Sequence, residues 1–286
     1  MISEGTVSVP GAVLQYRRAG ADFGPLLVFE NGWGASHHYW AWIERELAPH
    51  ARLLFYDRAG IGGSELITRQ TAPSLSAQFQ AMLLALQISE PVVVVGHSYG
   101  GLIGALHLSQ QPQVIQALIQ LDASPWQRDR VLDASFAVIG FLVYVLKFYA
   151  AMGWRDPIFA PACGTLPEPE QSQLLKHSFG SIKSLRAAAS ELGLLKAIRL
   201  IIESAPSDTA RLILSATESA EPKKSAIVRR MQAQHRQYAH RGKGGEWSEL
   251  AFGHGAMVFT EAGAAAVASR ILTYLRGSQI LAGERH

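Results

Sequence analysis

Pro91-Val92-Val93-Val94-Val95-Gly96-His97-Ser98-Tyr99-Gly100-Gly101-Leu102-Ile103-Gly104-Ala105 changes character within three residues. Four valines after a proline form the pattern of a strand buried on both faces of a parallel sheet. From Tyr99 to Gln110 the residues are small and helically spaced. Between the two lies Gly96-x-Ser98-x-Gly100, with glycines flanking a serine where strand must turn sharply into helix. Side chains two before and two after that serine would collide with neighbouring backbone, so glycine is what the turn admits. Ser98 then stands at the strand's end with a helix N-terminus behind it. There the next backbone N–H can face a developing oxyanion, and the helix dipole favours negative charge. A glycine-rich packing turn would carry the same letters, but the flanking strand and helix are the context a nucleophilic serine requires.

On these residues the chain resembles the α/β-hydrolases of the serine-nucleophile type, over nearly its whole length. The resemblance implies an α/β fold with a mostly parallel central sheet flanked by helices and an inserted helical cap. Leu26-Leu27-Val28-Phe29-Glu30 is an apolar strand running into Asn31-Gly32-Trp33-Gly34. In the family the equivalent strand ends in a His-Gly turn, and the residue after that pair lends its N–H to the oxyanion hole. Asn31 departs from that pattern while the glycine and the N–H of Trp33 remain. The resemblance therefore implies an oxyanion hole of Trp33 N–H and Tyr99 N–H; the bland alternative is an ordinary strand-ending Asn-Gly turn. Arg52 to Tyr56 is the next strand, and Asp57-Arg58-Ala59-Gly60-Ile61-Gly62-Gly63-Ser64 is similar to the family's Asp-x-x-Gly-x-Gly-x-Ser loop. The Tyr-Asp-Arg-Ala-Gly version recurs in one bacterial branch, and the resemblance makes Asp57 and Arg58 residues that shape the loop.

A serine hydroxyl needs a base within hydrogen-bond reach. Of ten histidines, only His254 combines a strand end, flanking glycines and a place just before the final helix. It matches the family's Gly-His motif, which implies the general base; otherwise it is a surface-loop histidine. The acid is open between two positions. The family's usual loop offers Glu218, with Pro222 four residues later. A second family position, the end of the strand after the nucleophile helix, offers Asp122. In the Asp-Arg-Ala-Gly branch the usual loop often lacks a carboxylate, which favours Asp122, though a strand-end cap is its bland alternative.

Strand and helix alternate up to Asp122, as a parallel sheet covered on both faces requires. An amphipathic helix is expected over Leu75–Gln87 with Ser74 as its cap. From Pro125 to about Pro206 the alternation stops and helical segments take over. The expected organisation is therefore a core of residues 1–124 and 207–286, with the family's cap inserted at 125–206. Within it, Ala134 to Leu146 is predominantly apolar over thirteen residues, about 20 Å of helix and too short to cross a bilayer. Such a helix buries all its sides, lines a greasy pocket or touches a membrane surface. Pocket lining is the expectation here, with Phe141, Tyr144 and Phe148 favouring acyl or aromatic substrate parts. Lys223 to Tyr238 reads as a basic helix with a solvated face. The paired His37 and His38 read as a partly exposed aromatic helix start; neighbours on a helix point about 100° apart, which disfavours a shared metal.

A length of 286 residues, 48% of them apolar, suits one large domain with an insertion. Net charge is +3 with scattered lysine and arginine, so no nucleic-acid partner is expected. The single cysteine, Cys163, excludes an internal disulfide and a thiolate metal cluster. Met1-Ile2-Ser3-Glu4-Gly5-Thr6 has neither a basic start nor an apolar run, so no signal peptide and a cytoplasmic setting are expected. The chemistry expected is hydrolysis of small to medium hydrophobic esters through an acyl-enzyme, with no cofactor and no metal. Rival readings are hydrolysis of amide, lactone or carbon–carbon bonds, and a ligand sensor that turns over slowly on the same fold.

Overall fold

The computed structural model describes residues 2–134, 138, 145, 165–205, 208–217, 222–242 and 244–280. Among the described residues nine strands form one sheet: β1 (Ser3–Val9), β2 (Ala12–Gly20), β3 (Leu26–Glu30), β4 (Arg52–Tyr56), β5 (Glu65–Leu66), β6 (Val92–His97), β7 (Ile115–Leu121), β8 (Ala210–Ala216) and β9 (Glu246–Leu250). Their spatial order is β1-β2-β4-β3-β6-β7-β8-β9, with β5 paired to β2. The β1–β2 hairpin and the β2–β4 pair are antiparallel, and every pair from β4 to β9 is parallel. This is the fold the sequence predicts.

The alternation of side chains along each strand explains why so many are apolar throughout. Val93 and Val95 point into one core with Phe29, Phe55 and Ile119, sealed by Ile43 and Leu47 of α1 (Ala41–Leu47). Val92 and Val94 point into the other with Val28 and Leu118, sealed by Phe79 of α2 (Ala72–Ala85) and Leu102 and Leu106 of α3 (Tyr99–Gln110). Both faces of β6 are buried, so a valine run of either register is accommodated.

Further helices follow: α4 (Glu170–Leu174), α5 (Ile182–Ser204), α6 (Pro222–Ala239), α7 (Ala256–Phe259) and α8 (Glu261–Gly277). The buried Ile271 and Leu275 of α8 join the first core, while Ile198 and Ile202 of α5 join the second and pack toward α3. One local expectation changes. The cap of α2 is Thr71, whose side chain accepts from Ser74 N–H while Ser74 Oγ accepts from Thr71 N–H; the two make a reciprocal capping box with Pro73 inside the first turn. The basic helix α6 keeps a solvated face, and its other side buries Gln234, His235 and Tyr238.

The strand order fixes where a site can form. From β3 the chain moves outward to β4, then returns to place β6 on the other side of β3. Loops leaving the carboxyl ends of β3 and β6 therefore diverge to opposite faces, and the crevice between them is the switch point where open α/β sheets bind ligands. Glu30 lies opposite Gly96 in that pair. The Asn31-Gly32-Trp33 turn and Ser98 thus meet at one edge of the sheet.

Candidate active site

Ser98 closes β6 with φ 56° and ψ −122°, an unfavourable backbone for a residue with a side chain. Its neighbours hold it there. Ser98 N–H donates to the Leu121 carbonyl at 3.0 Å, and the Ser98 carbonyl accepts from Gly101 N–H at 3.1 Å and Ser124 N–H at 2.8 Å. The glycines are needed for close approach: a Cβ at Gly96 would overlap the backbone of Gly100, and one at Gly100 would overlap the carbonyls of Glu30 and Asn31. The turn after β6 is thus wedged against the turn after β3. Ser98 is half-buried and its hydroxyl has no hydrogen-bond partner among the described residues.

His97 is paired with Leu121 across β6 and β7, so Asp122 leaves the neighbouring strand beside Ser98. Asp122 also has a left-handed backbone, φ 42°, which aspartate tolerates better than most residues. Its carboxylate is engaged at both oxygens. Ala216 N–H donates to Oδ1 at 3.1 Å, and His254 Nδ1 lies 2.6 Å from Oδ2. Burial by itself would raise the Asp122 carboxyl, but His254, with smaller help from His235 and the Ala216 N–H, holds it down at about 2. It is therefore a carboxylate at any ordinary pH. His254 sits on the Gly253–Gly255 loop after β9 with its side chain 49% exposed, against 10% for Asp122. One ring nitrogen is committed to the acid while the ring stays accessible.

Two histidines that the sequence reading passed over support this pair. His97 Nε2–H donates to the His254 carbonyl at 3.1 Å, and the two rings lie 4.7 Å apart. Burial and the proximity of His254 push the His97 imidazole down to about 3, so it is neutral. His235, on the buried side of α6, donates from Nε2 to the Ala123 carbonyl at 2.7 Å and accepts at Nδ1 from Ser215 Oγ at 2.8 Å. Ser215 Oγ in turn accepts from Trp247 Nε1 at 2.9 Å. Burial lowers the His235 imidazole as well, so the ring is neutral, and the Ala123 carbonyl facing Nε2 places its proton there. The peptide after Asp122 is pinned by this chain.

The turn after β3 is fixed by the side chains of Asn31 and Tyr39. Asn31 Nδ2 donates to the Tyr56 carbonyl at 2.8 Å and its Oδ1 accepts from Trp40 Nε1 at 2.8 Å. Gly32 N–H donates to Tyr39 Oη at 2.7 Å. The N–H groups of Trp33 and Tyr99 donate to no acceptor among the described residues. Asp57 accepts from Gly63 N–H and from both the backbone and Nδ1 of His37, all within 2.7 to 3.1 Å, the loop-shaping part expected for it. His37 is therefore buried and paired, not partly exposed. Arg58 is buried among the carboxylates of Glu191 and Glu30, which hold its guanidinium well above its usual range despite burial. Tyr56 Oη and His107 Nε2 complete the shell of Glu30.

Phe141, Tyr144 and Phe148, expected to line the acyl pocket, lie outside the described residues, as do Cys163 and the alternative acid Glu218. Among the described residues no cluster of three or more His, Cys, Asp or Glu is arranged to hold a metal, and no helix is long and apolar enough to cross a membrane.

A family model described as the alpha/beta hydrolase fold matches residues 25–148. Among curated proteins, the chain is 32% identical over 102 residues to the pimeloyl-[acyl-carrier protein] methyl ester esterase of Aeromonas salmonicida, covering 36% of this chain and 39% of that protein. It is 29% identical over 97 residues to an AB hydrolase superfamily protein of Gibberella zeae, covering 33% and 30%. The matched stretch spans less than half the length of these curated relatives. Among solved structures, the enol-lactonase from Burkholderia xenovorans LB400 superposes with a TM-score of 0.67 at 20% identity, over 95% of this chain and all of that one. The epoxide hydrolase CorEH superposes with a TM-score of 0.73 at 16% identity, over 97% and 100%. At these identities the structural likeness is one of fold.

Proposed function

We propose that the chain, which matches the alpha/beta hydrolase fold model over residues 25–148, is a serine carboxylesterase of that superfamily acting on small to medium hydrophobic esters. Ser98 is the nucleophile, His254 the general base and Asp122 the acid, with Trp33 N–H and Tyr99 N–H as the oxyanion hole. The observation that carries this reading is the 2.6 Å contact of His254 Nδ1 with the buried Asp122 carboxylate, one strand from Ser98.

The steps follow from the groups. Ser98 Oγ attacks the ester carbonyl carbon as His254 Nε2 takes its proton. The carbonyl π electrons become an oxyanion facing the two N–H donors, and Asp122 stabilises the imidazolium through Nδ1–H. Collapse of the tetrahedral intermediate breaks the bond to the alkoxide, which leaves as alcohol with the proton from His254. Water then repeats the sequence on the acyl-serine, releasing the acid and restoring Ser98. A lactone would be opened by the same steps, its alcohol staying tethered to the acyl group.

p-Nitrophenyl esters of graded chain length, read for burst and steady state, test the proposal. Repeated turnover is expected, abolished in Ser98→Ala by roughly 10⁶-fold, together with loss of fluorophosphonate labelling. Tight ligand binding without turnover on any ester would instead favour the sensor.

A further inference from the structure

Trp33 and Tyr99 follow different strands, yet both hang their side chains on one helix. Trp33 Nε1–H donates to the Ala188 carbonyl at 2.7 Å, and Tyr99 Oη–H donates to the Glu191 carbonyl at 2.8 Å. Ala188 and Glu191 lie one turn apart on α5. The Glu191 carboxylate then receives Arg58 through Nε at 2.6 Å and Nη2 at 3.1 Å, a bidentate fork with a fixed plane. With that plane set, Arg58 Nη1 donates to the Asn31 carbonyl at 2.6 Å and Nη2 to the Gly32 carbonyl at 3.1 Å. The Gly32 carbonyl and the Trp33 N–H belong to the same peptide unit. Because that unit is planar and trans, holding its oxygen toward Arg58 directs its N–H the opposite way. Arg58 and Glu191 are both buried, so no water competes for these contacts.

We infer that Glu191 and Arg58 are positioning residues for the oxyanion hole, and that α5 is the frame on which both of its donors are set. Glu191 orients Arg58, Arg58 clamps the peptide that carries the Trp33 N–H, and the phenol of Tyr99 anchors the second donor one turn along the same helix. None of these side chains touches the substrate. Their effect falls on an interaction made only when the carbonyl oxygen becomes an oxyanion, so it belongs to kcat and not to ground-state binding. The inference rests on the oxyanion roles proposed for Trp33 and Tyr99.

The test compares native protein with Tyr99→Phe, which keeps the backbone N–H and removes only the hydroxyl, and with Glu191→Gln. Active sites are first counted by fluorophosphonate labelling of Ser98. Then kcat per labelled site, KM, and inhibition by a phenylboronic acid, whose serine adduct mimics the tetrahedral intermediate, are measured. Both variants are expected to lower kcat and weaken the boronic acid in parallel, by about ten- to a hundred-fold, since a misdirected donor costs less than a deleted one, with KM little changed. Variants that lose labelled sites but keep native kcat per site and native boronate affinity would overturn the inference. If Glu191→Gln does not fold, Tyr99→Phe decides alone. Native protein that fails to label at Ser98 would instead sink the hydrolase reading itself, and the positioning role with it.

Discussion

Asp122 Oδ2 and His254 Nδ1 lie 2.6 Å apart although 132 residues separate them in the chain. The acid is buried with a donor on each oxygen and the base is half exposed, so the carboxylate serves to hold a ring that must remain reachable. Asp122→Asn preserves size, the Ala216 contact and a residue type that accepts the left-handed backbone, but its amide cannot stabilise the imidazolium. The expected loss in kcat is on the order of 10⁴-fold, with KM little changed. Glu218→Gln is expected to turn over at the native rate. Steady-state kinetics of the two variants check this assignment, and a collapse of Glu218→Gln alone would move the acid to the loop after β8.

His97 gives the fold an acid sensitivity of definite sign. Folded, its imidazole stays neutral down to about pH 3 because burial and His254 oppose its charge, with Asp122 only partly offsetting them; unfolded, it takes a proton near its ordinary value of about 6.5. Between these values the unfolded state holds the extra proton, so stability falls as pH drops, by about 1.4 kcal/mol per pH unit for this one group. His97→Gln keeps a donor for the His254 carbonyl and removes the titration. Urea unfolding at about pH 7 and about pH 5 is expected to show a shallower pH dependence in the variant than in native protein. Asp122 acts in the same sense in a lower window. Its folded value of about 2 lies below the ordinary 3.8, so its contribution is complete above about pH 4 and is lost as pH falls toward 2.

The candidate nucleophile Ser98, the proposed oxyanion residues Trp33 and Tyr99, the candidate base His254 and both candidate acids are legible in the sequence because each comes after an apolar run, next to glycine or in a polar break. The doubly buried strands were visible for the same reason: four consecutive valines have no other economical place. What escaped was long-range and polar. His97 looked like the variable letter in a five-residue motif, and nothing local says that its Nε2 meets a carbonyl 157 residues away. His235 lay in a helix whose charges masked its buried side, although its spacing from Tyr238 places both on one face. Glu191 stands on α5 with no motif around it, and only the fold brings it to Arg58. Only the resemblance to the Asp-Arg-Ala-Gly branch ranks Asp122 over Glu218, since each comes shortly after an apolar run in the sequence.

Thr71 and Ser74 offer a check that leaves the site untouched. The sequence predicts Ser74 as the cap of α2, but it is Thr71 that accepts from the third residue of the helix. Thr71→Ala is expected to cost about 1 kcal/mol of stability, read by urea unfolding, with esterase kinetics unchanged.

Gly100 and Gly193 separate close approach from mere flexibility. At Gly100 a Cβ would overlap the carbonyls of Glu30 and Asn31, which are backbone atoms of the central sheet and cannot step aside. Gly100→Ala must therefore shift β3 against α3, which also pulls the Asn31-Gly32-Trp33 turn away from Ser98. A loss of about 3 kcal/mol or more is expected, together with loss of activity in whatever protein still folds. Gly193 lies exposed within α5, with nothing within 4 Å of its added Cβ and no positive φ. There alanine removes backbone freedom from the unfolded chain and is expected to stabilise by about 0.5–1 kcal/mol. Thermal or urea unfolding of the two single variants measures both effects. Opposite signs are the expected result; a Gly100→Ala protein as stable as the native chain would mean that the turn after β6 does not abut the turn after β3, and that the two oxyanion donors are not held by that contact.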